Sequence, residues 1–395
     1  MKKVDNHSEL NNAFSVGPMI IFTLMVFFNF LSRGLFAPLL PIIEEEFAIS
    51  HAAAGSLFLI MSVGFSGMMI LSGFPAKLLT HRGMIIFYEL FLGGALFLCA
   101  LSNSFRFFQF SVFLVGVSAG LYAPSGLASI TSYIKKDHWG KAMGIHELGP
   151  SLGLLCAPLV IGFGTVIFPW RTVVVFIAAA NWVGAALYTV WGKGGRFPGE
   201  PPHFENLKPI IKNRSIWIIV VFFILSASAS IGVYSILPTY LISEKGINPQ
   251  VVNSVVGAAR ITGLVFIFFS GVLADKLGIK VLFLIVFLFS GALGILLGVL
   301  NGTWLLIAVF FQPMIVSSFF PIGNSAISLL TAPKTRSIAF SLIIPFANAF
   351  GAGITPTFLG ALAEAGRFSL GFIILGTITV CSVLFIPLLA IPKKG

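Results

Sequence analysis

Long apolar runs, each closed by a short polar or Gly/Pro-rich turn, follow one another along the whole chain. A helix rising about 1.5 Å per residue needs about 20 mainly apolar residues to cross the hydrocarbon core of a bilayer. Twelve runs reach that length: about 17–42, 51–73, 84–103, 107–134, 140–166, 171–192, 215–242, 250–272, 279–300, 303–331, 337–362 and 368–391. Residues 1–15 are polar, and the first run is longer than a signal-peptide core, so no cleavage is expected. The pattern predicts an all-α membrane protein with twelve transmembrane helices.

Composition agrees. Of 395 residues 57% are apolar and 9% charged, against about 25% charged in a soluble domain. Such a chain cannot cover a water-facing surface, which excludes a soluble enzyme, a disordered chain and a disulfide scaffold. Cys99, Cys156 and Cys381 sit in apolar runs with no CxxC spacing and read as packing residues.

The net charge of +11 is accounted for by topology. With the N-terminus inside, 18 of the 24 Lys and Arg residues fall on the cytoplasmic side, and four (Arg106, Arg171, Lys245, Arg367) fall outside. This is the positive-inside bias, and it places both termini in the cytoplasm. Trp139, Trp191 and Trp217 fall at inner ends of spans, Trp170 and Trp304 at outer ends, where amphipathic rings prefer to sit. Nucleic acid is not an expected partner; the lipid bilayer is. Short loops suggest a bacterial inner membrane, and a monomer is expected.

Only one connection is long. Residues 193–214 are polar, Pro-rich and basic, and read as a cytoplasmic linker between halves 1–192 and 215–395. The halves repeat: an offset of 198 pairs Ile49 with Ile247, Ser72 with Ser270, Gly73 with Gly271, Gly153 with Gly351, Pro158 with Pro356 and Gly162 with Gly360. Pro124-x-Gly126 matches Pro321-x-Gly323 at an offset of 197. Parallel six-helix repeats are a transporter architecture with the site near midplane between the halves.

Between the eighth and ninth runs stands Gly271-Val-Leu-Ala-Asp275-Lys276-Leu-Gly278-Ile-Lys280. It resembles the G-x3-D-[RK]-x-G-x-[RK] signature of the major facilitator superfamily at every position. Its first-half counterpart keeps Gly73 and Arg82 but has Lys77 for the Asp, Leu78 for the basic residue and Thr80 for the second Gly. The resemblance covers all twelve runs and implies two pseudo-symmetric six-helix bundles. It also implies a conformational latch at Gly73, Lys77, Arg82, Gly271, Asp275, Lys276, Gly278 and Lys280, with its cations meeting the neighbouring bundle. Gly149-Pro150-x-x-Gly153 resembles part of the antiporter signature, with Leu154 where a second Gly is expected. The Arg common in span four of antiporters is replaced by Val112.

Charges within the bilayer are costly and default to functional candidates. Arg33 in span one and Arg260 in span eight both lie about 14 Å deep at 1.5 Å per residue, and neither has an acid at i±3 or i±4. Two deep cations at one depth suit an anion held from both halves; the alternative is structural pairing with Glu or backbone carbonyls. Arg in span eight, and the stretch Arg33-Gly34-Leu-Phe-Ala-Pro38, resemble organic-anion and monocarboxylate porters of the superfamily. Asn29, Tyr122, Tyr234 and Asn324 are the polar candidates beside them, since the resemblance implies that spans one, four, seven and ten line the cavity; Asn348 in span eleven is a further polar candidate. His146 and Glu147 lie about two turns inside span five, where a desolvated carboxyl could load and release a proton; pairing of Glu147 with Lys141 is the alternative. Glu89, near Arg82 and Lys77 in sequence, reads as a structural partner of those cations.

The chain therefore reads as a secondary transporter moving a small organic anion, monocarboxylate-like, by alternating access with a proton as coupling ion in symport. Efflux of a lipophilic compound and a nitrate-like inorganic anion are the alternatives. Nitrate porters resemble one another in Gly-dense runs in spans five and eleven; the glycines here are more widely spaced, with Gly144, Gly149 and Gly153 in the one and Gly351 and Gly353 in the other. No nucleotide loop, HExxH or GxSxG is present, so no cofactor, metal or enzymatic activity is expected.

Overall fold

The computed structural model describes residues 16–135, 138–200, 208–331 and 336–391. Among them are twelve helices long and apolar enough to cross a membrane. Spans 1 to 6 are Gly17–Phe47, His51–Leu71, Gly73–Leu101, Phe105–Tyr133, Ala142–Ile167 and Trp170–Trp191. Spans 7 to 12 are Arg214–Glu244, Pro249–Ile267, Ile279–Val299, Gly302–Leu330, Leu342–Glu364 and Phe368–Leu388. The order matches the apolar runs, with two informative differences at helix ends. Span 1 continues past Pro41 through three glutamates, because two of them are held. Glu44 Oε2 lies 3.0 Å from His51 Nδ1, and Glu46 pairs with the Arg171 guanidinium and accepts from the Trp170 indole at 2.5 Å.

Ahead of the membrane-crossing part of span 3, where the pattern predicts a start near 84, a short helical stretch runs from Gly73 to the turn at Thr80. Thr80 itself, with φ 62° and ψ 165°, is not helical. The repeat partner of Thr80 at the 198-residue offset is Gly278, with φ 82° and ψ 151°. Both halves thus turn from one span to the next through the same backbone conformation. That region is natural for glycine and strained for a β-branched residue.

In the outer half of the molecule, taking the predicted orientation, the two six-helix halves are packed together. Span 2 lies along span 11: a Cβ added at Gly55 would stand 2.7 Å from the Pro356 carbonyl oxygen. The Thr357 hydroxyl donates to the Gly55 carbonyl at 3.2 Å, and deeper down Ser66 donates to the Pro345 carbonyl at 2.9 Å. Span 5 meets span 8 where Gly162 faces Asn253. The core records the same closure. One apolar cluster runs through the first half and across into the outer parts of the second, including Val233, Tyr240, Leu359 and Phe372. The inner part of the second half, including Phe222, Phe283, Phe319 and Ile343, forms a separate cluster. Among the described residues, the halves share a core at the outer end, and the inner part of the second half has a core of its own.

The start of the 193–214 linker is not a free tether. Arg82 N donates to the Gly195 carbonyl at 2.8 Å, His81 N to Phe197 at 3.1 Å, and Gly199 N to Ala76 at 2.9 Å. This stretch is laid over the turn between spans 2 and 3, and a short helix, Lys208–Lys212, precedes span 7.

Two outcomes follow from these contacts. Thr80→Gly should raise the thermal midpoint of the purified protein in detergent, through relief of order 1 kcal/mol of backbone strain. Gly55→Val should hold the outer ends apart, since its new atoms meet backbone. Distances between spin labels at the exposed positions Ser50 and Glu364 should lengthen relative to the unsubstituted protein.

Candidate functional site

Span 1 breaks at midplane. Pro38 has no N–H to offer the Gly34 carbonyl, and the helix is interrupted at Leu35 between segments Val16–Gly34 and Phe36–Phe47. Gly34 lets span 1 approach spans 5 and 7: a Cβ there would lie 3.1 Å from a Leu154 methyl and 3.6 Å from the Tyr234 hydroxyl. The residue before it, Arg33, reaches into a cavity between the halves with about 460 Å³ of empty space, part of it open to solvent. Its guanidinium lies 4.2 Å from the Phe65 ring centroid and 5.1 Å from that of Phe30. Nη1 is buried without a hydrogen-bond partner. Cation–π contact offsets part of its desolvation, but a buried charged donor without an acceptor is still costly. Asn348 lines the same cavity and donates to Ser66 Oγ at 3.4 Å.

Arg260 stands on the other side of Tyr234. Its guanidinium is 4.2 Å from the Tyr234 ring centroid, and Nη2 donates to the Ser230 carbonyl at 3.1 Å. Ser230 belongs to a π-helical turn, Ser228–Gly232, within span 7. Such a turn shifts the backbone ladder and leaves carbonyls to other donors; Gln312 serves Ala229 in the same way. A second, smaller cavity is lined by Arg260, Tyr234 and Gln312. The Tyr234 hydroxyl donates to the Leu154 carbonyl of span 5 at 3.0 Å, so this ring ties the halves together and separates the two arginines. Among the described residues, no carboxylate lies within ion-pair distance of either arginine.

The other predicted residues divide. Arg33, Asn348 and Tyr234 come together at the first cavity, and Arg260 joins them through Tyr234. Asn29 and Tyr122 turn into the first half instead. Asn29 donates to the Ala119 carbonyl at 2.9 Å, and the Tyr122 hydroxyl lies 2.9 Å from His146 Nε2. Asn324 is exposed on the inner half of span 10, away from both cavities. Glu147 is not the desolvated carboxyl the sequence suggested: its side chain is 65% exposed, at a break where Pro150 cannot donate to the His146 carbonyl. His146 is the buried member, with Nδ1 3.6 Å from Glu147 Oε1. The Lys141 side chain lies outside the described residues. Glu89 does not pair with Arg82 or Lys77; it is fully buried beside Tyr88.

At the predicted latch, Arg82 donates to the carbonyls of Gly192 and Thr189, and thereby caps span 6 of its own half. A cation at a helix C-terminus is favoured by the exposed carbonyls and the dipole. Among the described residues, the hydrogen-bond partners of Arg82 all lie in its own half. Lys77, Lys276, Gly278 and Lys280 are exposed. The side chain of Asp275, and Gly271 beside it, lie outside the described residues. Phe30, three residues before Arg33 on the same helix, is a neighbour its spacing could have revealed; Phe65 and Gln312 are not legible in that way. Their polar or aromatic character is plain in the sequence, but nothing local links span 2 or span 10 to an arginine on span 1 or span 8.

Comparison with known proteins places this geometry. The model of the Major Facilitator Superfamily matches residues 22–258 and 225–395. A probable nitrate transporter, NarT of Staphylococcus epidermidis, is 21% identical over 60% of this chain and 61% of its own length. The match thus spans about three-fifths of that relative. An MFS-type transporter of Bacillus subtilis, YceJ, is 22% identical over 78% of this chain and 80% of its own. The nitrite extrusion protein of the same organism is 21% identical over 69% of each. Among solved structures, a POT family transporter in complex with a thioalcohol-conjugated peptide superposes with a TM-score of 0.79 at 16% identity, covering 95% of this chain and 97% of that one. With its twelve spans in two similar halves, a cavity between them and a family match along nearly its whole length, the chain belongs to the Major Facilitator Superfamily.

Proposed function

We propose that this transporter moves a small anion, with Arg33 and Arg260 as its charge partners, one from each half. The observation that carries this reading is the Arg33 guanidinium, held in the cavity between the halves with Nη1 buried and no acceptor. A planar oxyanion would supply acceptors in the geometry a guanidinium prefers. In the state described, Arg33 borders the cavity and Arg260 is stacked behind Tyr234. Release of the Tyr234–Leu154 bond as the halves rock would bring the second arginine to the same anion. The moving bodies are 1–192 and 215–395, joined by 193–214, working as a monomer with both termini in the cytoplasm of a bacterial inner membrane.

Uptake of an anion works against a negative interior by about 2.3 kcal/mol per charge per 100 mV, and a proton taken with the anion removes that cost. Glu147, exposed on span 5, and His146, buried beside it, are the groups proposed to exchange that proton. A monocarboxylate is the first substrate class. A nitrate-like inorganic anion is the second reading, favoured by the relatives described as a nitrate transporter and a nitrite extrusion protein.

Uptake of labelled pyruvate, lactate and nitrate into proteoliposomes, with and without an imposed pH gradient, tests both readings. At least one anion should accumulate, faster with the gradient. Arg33→Ala and Arg260→Ala should each reduce uptake by about tenfold or more, equivalent to about 1.4 kcal/mol, with partial recovery in the Lys variants. Transport of none of these anions, or unchanged uptake in Arg260→Ala, would remove the anion assignment. Uptake indifferent to the gradient would remove proton coupling.

A further inference from the structure

Away from the cavity between the halves, the interior of the first half holds a carboxyl that the transport reading does not use. Glu89 on span 3 is fully buried. No cation pairs with it among the described residues: Arg82 is committed to carbonyls at the end of span 6, and Lys77 is exposed. The titratable groups around it are Tyr88 on its own helix, Tyr122 on span 4, His146 on span 5 and Tyr188 on span 6. Span 1 offers the Phe22 and Met25 carbonyls. Span 2 has His51 as its one titratable residue, at its outer end.

Counting protons assigns the state of this group. The Tyr88 hydroxyl is in hydrogen-bond contact both with the Met25 carbonyl and, at 2.7 Å, with Glu89 Oε1. Two oxygens at such distances need a proton between them. A carbonyl can only accept, so the single hydroxyl proton of Tyr88 goes to Met25, and the proton of the second contact must sit on the Glu89 carboxyl. The same count one turn away orients the next pair. The Tyr122 hydroxyl lies 3.1 Å from the Phe22 carbonyl and 2.9 Å from His146 Nε2. The tyrosine proton goes to Phe22, and Nε2–H of the histidine donates to the tyrosine oxygen. His146 Nδ1 is then bare, buried and without a hydrogen-bond partner, 3.6 Å from Glu147 Oε1.

We propose that Glu89 is a proton-binding site, loaded in this state, and that Tyr88, Tyr122 and His146 connect it to the exposed Glu147. This deepens the proton-coupling reading above and rests on it for its role in transport. Phe22 and Met25 are three residues apart on span 1, about 4.5 Å along the helix, and the Tyr88 and Tyr122 rings pack with centroids 5.0 Å apart. The two hydroxyls therefore stand one turn apart on one face of span 1. Loading runs from Glu147, which takes a proton from water and gives it to His146 Nδ1. Nε2–H passes to the Tyr122 oxygen; the Tyr122 hydroxyl, which makes no hydrogen bond to Tyr88 in this state, swings from the Phe22 carbonyl to hand its proton across the gap to the Tyr88 oxygen; and the Tyr88 proton goes to the Glu89 carboxylate. Each intermediate group gains one proton and loses one, so the net change is one proton from solution to Glu89. Unloading is the reverse and restores the histidine tautomer.

Infrared spectroscopy of the full chain reconstituted in lipid tests the site without any substrate. At neutral pH the protein should show a protonated-carboxyl band that Glu89→Gln removes and Glu147→Gln leaves in place. Glu89→Asp, which retains an acid, should move the band instead of abolishing it. After a switch to D2O, the isotope shift of that band should develop about tenfold more slowly in Tyr122→Phe than in the unsubstituted protein. A neutral-pH spectrum unchanged by both Glu89 substitutions would overturn the site, and unslowed exchange in Tyr122→Phe would overturn the route. In proteoliposomes, gradient-driven uptake should be lost in Glu89→Gln while exchange of the same labelled anion persists. Unsubstituted protein that ignores the gradient ends the coupling reading and leaves the infrared result standing. A coupled protein whose Glu89→Gln variant stays coupled overturns Glu89 alone.

Discussion

A bilayer offers no hydrogen-bond partners, so every buried backbone amide, carbonyl and charge has to be satisfied within the protein or by what the protein carries. That demand makes each span helical, and it makes each interruption of a helix visible in the side chains around it. The break after Gly34, the π-helical turn at Ser228–Gly232 and another at Asn348–Ile354 all border the central cavities. Freed carbonyls in span 7 are taken up by Arg260 and Gln312. Arg33 has no such carbonyl and rests on two phenyl rings instead. The same constraint thus gives the two arginines different standing: one is met in part by a backbone carbonyl, the other keeps a buried Nη1 without an acceptor.

Closure of the outer end depends on close approach of helices. Glycines on spans 2 and 11 let backbones meet at distances no side chain would permit, Gly162 on span 5 makes room for the Asn253 side chain, and the apolar core then runs continuously from one half to the other. At the inner end the core divides. Because the outer contacts involve backbone and small groups, few polar bonds need to break for the halves to part. Among the described residues, Ser66 with Pro345 and Asn348, Thr357 with Gly55, Ala52 with Glu364 and Tyr234 with Leu154 are the ones seen. That suits a protein whose work is to exchange one closure for another.

The repeat survives in backbone geometry where residue identity has drifted. Thr80 and Gly278 differ in chemistry yet share the left-handed turn that leads into the third span of each half. The cations around that turn have diverged further. Arg82 caps span 6 and anchors the linker, whereas its counterpart Lys280 is exposed.

Span number and order, the repeat and the identity of the deep cations were legible in the sequence because each is a local property. Hydropathy is summed over one helix, an offset compares two segments, and an arginine in an apolar run is costly wherever the helix goes. Helix ends were less legible: Glu44 and Glu46 stay in span 1 only because His51, Trp170 and Arg171 meet them from elsewhere. Facing direction was not legible at all. Tyr122 and Tyr234 look alike in sequence, yet one turns into the first half and the other bridges both. Glu89 and Glu147 exchanged the environments that their depth in the sequence suggested. Rotation of a helix about its axis is set by packing against neighbours distant in the chain, so only the tertiary structure decided which polar groups meet, which stay dry and which are left without a partner.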